Sequence, residues 1–182
     1  MRAEAWRTDV EAQFRKYKAL AERALAQVSA EDWFATPDPE ANSIALVVKH
    51  MAGNMRSRWT DFPATDGEKP DRRRDTEFLR EPGDTPESLR RRWEEGWALL
   101  FGVLAALRDE DLERTVTVRG EPHTVMQAMH RQMTHYAYHV GQIVILAKQR
   151  AGPRWVSLSI PRGKSKEFEV AKDGTAYLPK KP

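Results

Sequence analysis

Residues 134–142 read THYAYHVGQ, inside a longer run, 124–150, whose apolar residues Val125, Met129, Tyr136, Val140, Ile143 and Ala147 are spaced by three, four or seven. Such spacing keeps one face of an α-helix apolar, so the run predicts a long amphipathic helix. Gly152-Pro153 closes it, because glycine tolerates the left-handed end of a helix and proline cannot extend one. Two of the chain's five histidines, His135 and His139, sit four apart within this helix. Histidine is a mediocre helix former, and two of them so close would repel if both were charged. Their placement points to a chemical use.

Working outward, the apolar residues Trp6, Val10, Phe14, Tyr17, Ala21, Ala24 and Val28 predict a first helix over 5–28. SAEDWFATPDPEANS (29–43) carries two prolines and several capping residues, so it is a connection with one short turn at 31–34. Asn42 or Ser43 can cap a second helix, 44–59, striped by Ile44, Val48, Met51, Met55 and Trp59. The segment 60–84 has the proline, glycine and charge content of a long loop, and ordered loops of that length usually have a job. Thr85 as cap and Pro86 at the first position open a third helix through Leu89, Trp93, Trp97, Leu100, Leu104 and Leu107 to about Arg108. RTVTVRGEPHTV (114–125) alternates briefly around Arg119-Gly120, which predicts a short hairpin or an extended lead-in.

Four long amphipathic helices with no sheet to speak of predict an all-α fold, a four-helix bundle. One domain is expected over 1–182, with the bundle at 5–150 and a C-terminal tail at 151–182 that has a few extended pieces. Trp6, Trp93 and Trp97 fall on helical stripes and belong to the core; packing is also the better reading of Trp59 and Trp155, which stand beside the long loop and the tail.

Composition removes several function classes. Thirty basic residues against 27 acidic ones leave a net charge of +3 and a surface of mixed sign, which argues against nucleic acid as a partner. The RRR at 72–74 and the RGKSK at 162–166 read as solvated charge. No stretch approaches a membrane-spanning length, and the N-terminus has acids among its apolar residues, so neither a signal peptide nor a membrane partner is expected. Without cysteine there can be no disulfide, any metal must be held by nitrogen and oxygen, and a cytoplasmic location is expected.

At 100° per residue, His135 and His139 lie about 40° apart and roughly 6 Å along the axis, a spacing used by helical metal sites. They flank the apolar stripe. His130 falls on the order of 160° away and cannot join them, while His123 precedes the helix, where nothing fixes its direction. His50 flanks the stripe of the second helix, so packing the two flanks together would bring three imidazoles to one point. Three neutral nitrogens leave places open on a divalent ion, which then acts as a Lewis acid or acidifies a bound water or thiol. With no carboxylate expected beside them, the site would favour anionic ligands. Zinc, nickel and iron all accept imidazole.

The stretches KHMAGNMRSRWTDF, DGEKPDRRRDTEF, WEEGW, RGEPHTVMQAMHRQMTHYAYHVGQIV and WVSLSIPRGKS, within about 40–165, resemble an uncharacterised branch of the DinB/YfiT-like superfamily of metal-binding four-helix bundles. The resemblance implies a site with one histidine from the second helix and an H-x-x-x-H pair from the fourth, carried here by His50, His135 and His139. It also implies chemistry like that of relatives that use low-molecular-weight thiols such as bacillithiol or mycothiol, as transferases or isomerases, and a homodimer. Asn54, Tyr138 and Gln142 are near enough in sequence to orient such a cofactor or a small-molecule substrate. The alternative is a metal-stabilised bundle with a binding or stress-response role and no turnover. The loop at 61–77 and the tail at 157–165 are both expected to cover the site.

Overall fold

In a computed structural model of the chain, which describes residues 3–171 and 177–180, four long helices are accompanied by two small antiparallel strand pairs. Helix α1 spans Ala3–Leu25, α2 Ile44–Trp59, α3 Pro86–Ala106 and α4 Val125–Ala151. Strands β1 (Thr115–Val118) and β2 (Glu121–Thr124) form one pair, β3 (Phe168–Val170) and β4 (Tyr177–Pro179) the other. The fold is therefore mostly helical rather than all-α.

The starts of three elements follow from their caps. Ser43 accepts from the Leu46 amide and opens α2, while Thr85 with Ser88 and Thr124 with Gln127 form reciprocal capping boxes at α3 and α4. The ends departed from expectation in two places. Helix α1 stops at Leu25 rather than at 28, since Ser29 turns its amide and hydroxyl to Asp32 at 2.9 and 2.8 Å and competes with further helical bonds. Helix α3 stops at Ala106 because Leu107 is extended and Arg108 begins a capped 3-10 turn at Asp109–Asp111.

Helix α2 packs on α3 and α4, and α1 packs on α4 and α3. Between them Phe14, Trp93, Trp97 and Tyr136 are buried and meet edge-on or tilted, with Trp97 5.5 Å from Trp93 and 5.6 Å from Tyr136; each such pair adds roughly 0.5–1.5 kcal/mol beyond its burial. Trp59 is buried and donates to the Tyr136 hydroxyl at 2.9 Å, and Trp155 packs on the core from outside. Both are packing residues.

The segment 60–84 is more structured than its composition suggests, with a 3-10 helix at Arg74–Phe78. Two acidic residues hold it. At its far end Asp84 accepts from buried Lys49 of α2 at 2.8 Å and from the Glu81 amide at 2.9 Å. At its near end Asp66 accepts from the amides of Arg119 and Gly120 at 2.9 and 2.8 Å. These two form the β1–β2 turn with φ of 58° and 76°, a left-handed pair of the kind that closes two-residue hairpins.

Burial works against ionisation of Asp66, yet the amides of Glu68, Gly120 and Arg119 outweigh it and lower its pKa from 3.8 to about 2. A carboxylate with a depressed folded-state pKa contributes stability above its unfolded value and loses it as pH falls through the folded one. The stability gap between wild type and Asp66→Asn should therefore be full above pH 3.8 and shrink as pH falls towards about 2. Urea unfolding of both proteins across that range checks it.

Candidate metal centre

Helix α2 presents His50, and α4 presents His135 and His139, whose ligand atoms all lie within 4.8 Å of one another. The Nε2 atoms face inward: that of His135 is 3.3 Å from His50 Nε2 and 3.1 Å from His139 Nε2. The two other histidines are elsewhere, as the helical arithmetic requires. His130 accepts from Trp6 Nε1 at 3.2 Å, and His123 turns to the Glu121 carbonyl.

The outer nitrogens fix the tautomers. His50 Nδ1 lies 2.8 Å from Glu77 Oε2, and His139 Nδ1 lies 2.8 Å from Gln142 Oε1. Both oxygens accept, so each Nδ1 carries a proton and leaves Nε2 as the nitrogen that faces inward and can ligate a cation. His135 Nδ1 is buried with no partner among the described residues. Burial first, then the proximity of His139, His50, Arg72 and Arg58, pushes the His135 pKa down to about 3. Burial also lowers that of His139, against the opposing bond to Gln142. Three Nε2 atoms thus converge, with the Nδ1 protons of His50 and His139 turned outward to Glu77 and Gln142. A divalent cation fits this cluster, and three imidazoles are a suitable donor set.

Glu77 was not foreseen: no carboxylate was expected beside the histidines. Burial opposes its ionisation, but the His50 bond and two bonds from Arg72, at 2.8 and 2.9 Å, hold its pKa below the usual range. It comes from the 3-10 helix inside the long segment, where no periodicity reports direction. One sequence signal was available. Gly53 lies in the middle of α2, where glycine costs about 1 kcal/mol against alanine, and a Cβ there would lie 2.3 Å from Glu77 Oε1. Gly53→Ala is expected to displace Glu77 from His50 and weaken metal binding roughly 10–100-fold, the range of a lost outer partner. Competition with a chromophoric chelator would measure it, and Glu77→Gln should fall in the same range.

The histidines line a cleft of about 540 Å³ together with Asn54, Gln132 and Tyr138. Of the three residues expected to orient a substrate, Tyr138 is exposed at this cleft. Asn54 accepts from Gln132 at 2.6 Å and from the Tyr136 hydroxyl at 3.2 Å, a buried bridge that sets α2 against α4. Gln142 is engaged with His139 instead. Of the two segments expected to cover the site, the loop does so, through Arg72, Arg74 and Phe78. The tail does not: no tail residue lines the cleft among the described residues, and Val156 bonds to Gln27 beyond the end of α1.

Residues 2–164 match the model of a family described as a protein of unknown function (DUF1572). The chain belongs to this family. Comparison with curated proteins finds no match. Among solved structures, the chain is similar to a conserved protein from Enterococcus faecalis, at 16% identity and a TM-score of 0.57, over 80% of this chain and 96% of that one. At that identity the likeness concerns the fold alone. No helix of the described residues is long and apolar enough to cross a membrane.

Proposed function

We propose that this DUF1572 member is a DinB/YfiT-like four-helix bundle in which His50, His135 and His139 hold one divalent ion, and that it acts with a low-molecular-weight thiol as a transferase or isomerase in the cytoplasm. One observation carries the reading: the Nε2 atoms of three imidazoles converge, two of them with their Nδ1 protons turned to outer acceptors. When bound, the ion would supply Lewis acidity and a lowered pKa for a ligating thiol or water. The chain supplies the rest. Glu77 and Gln142 keep the protons of His50 and His139 on Nδ1, and the Asn54–Gln132–Tyr136 bridge fixes the distance between the two helices.

A non-catalytic staple is the second reading, and it calls for a fourth protein ligand. Among the described residues the group that can hold a metal contains the three histidines and no other residue, which favours an ion with room for a small molecule. The test is metal analysis of protein purified without a histidine tag, followed by cobalt substitution. One divalent ion per chain and a new sulfur-to-cobalt absorption band on adding mercaptoethanol support the proposal. Absence of bound metal, or a cobalt spectrum indifferent to thiol, contradicts it.

A further inference from the structure

The cleft around the histidines is also lined by five arginines, Arg58, Arg72, Arg74, Arg119 and Arg131, and, among the described residues, by no aspartate or glutamate. Two of the five are neutralised. Arg72 is bonded to Glu77 and Glu68, and Arg119 reaches Glu68 at 3.4 Å. Arg74 lies over the Phe78 ring. Arg58, Arg74 and Arg131 have no ion pair among the described residues, and Arg58 is the anomaly. It is 4% exposed, and its Nε and Nη1 are buried without any hydrogen-bond partner among the described residues. A buried guanidinium in this state is costly unless an anion meets it.

Position gives the ligand its shape. His50, Asn54 and Arg58 follow one another at intervals of four along α2, and Arg131, His135 and His139 do so along α4. The Asn54–Gln132 and His50–His135 contacts show that the two helices run antiparallel here, so both arginines lie at the same end of the cleft and the metal site towards the other. Arg131 is one turn from His135, about 6 Å of rise, and Arg58 is eight residues from His50, about 12 Å. Guanidinium groups grip carboxylate and phosphate oxygens in pairs.

We propose that the cleft binds a two-ended small molecule, with a metal-seeking group such as a thiol at the histidines and a carboxylate or phosphate at Arg58 and Arg131. Arg74, on the overlying 3-10 helix, faces the same space. The inference rests on the metal reading for its first end only. The arginine end stands on the unpaired, buried Arg58.

The test compares mercaptohexanoate with mercaptohexanol, thiols of equal length that differ in the charge of the far end, on cobalt-loaded protein. Wild type is expected to bind the carboxylate roughly 10–100-fold more tightly, the worth of a charged hydrogen-bonded pair. Arg58→Gln and Arg131→Gln should bring that ratio towards one, chiefly through loss of mercaptohexanoate affinity. Arg131 is exposed, so its variant serves if Arg58→Gln does not fold. Equal affinities in wild type, or a ratio that survives in the folded variants, overturn the proposal. If cobalt is not taken up, the metal reading has failed and the arginine end is judged alone, by calorimetry with inorganic phosphate on metal-free protein. Binding to wild type that is lost in Arg131→Gln supports it; no binding, or equal binding to both, overturns it.

Discussion

His139→Ala is expected to weaken divalent-metal binding by more than about 100-fold, beyond the 10–100-fold range of lost outer partners, while His130→Ala leaves it unchanged. Both residues lie on α4. His139 directs Nε2 to within 3.1 Å of His135 Nε2, whereas His130 pairs with Trp6. Removing His139 leaves two imidazoles for an ion that prefers at least three protein ligands. The comparison separates the local site from any general effect of deleting a histidine from this helix. Chelator competition gives the affinities, and circular dichroism confirms that both variants keep their helices.

Asp84→Ala should destabilise the fold by about 3 kcal/mol, the lower end of the cost of breaking a buried ion pair. The Asp84 side chain is 2% exposed and the Lys49 side chain 7%. Burial disfavours the Asp84 charge, but the Lys49 ammonium, the Glu81 amide and Arg92 outweigh it and hold the pKa below its usual value. The cost is held to the lower end because Lys49 keeps Glu81 at 2.7 Å and the Leu79 carbonyl at 2.9 Å. Lys49 adjoins His50, and Asp84 ends the segment that carries Glu77. Loss of this anchor should therefore also loosen the outer support of the metal site. Urea denaturation measures the stability term, and the same chelator assay measures the second effect.

The helices were legible because their signals are local. Ser43 and the stripe from Ile44 to Trp59 mark α2 at both ends, and Arg119-Gly120 marks a turn whose left-handed geometry few other pairs accept. The histidine cluster was legible because spacing along a helix determines direction, which placed His135 and His139 together and His130 away. Glu77 was not, since it arrives from an irregular segment 27 residues beyond His50. Arg58 and Arg131 sit between these cases. Their intervals of four from Asn54 and His135 can be read directly, but the antiparallel pairing of α2 with α4 is needed to bring them to one end of one cleft. The tail misled for the opposite reason: Trp155 and Leu158 pack on the core and draw it away from the histidines.

The most direct measurement is a crystal structure of untagged protein grown with one equivalent of zinc, with diffraction recorded on both sides of the zinc absorption edge. The expected result is a single anomalous peak about 2.0–2.1 Å from the Nε2 atoms of His50, His135 and His139, with Nδ1 of His50 still bonded to Glu77. A peak held by only two of these residues, a peak elsewhere, or no peak at all would contradict it.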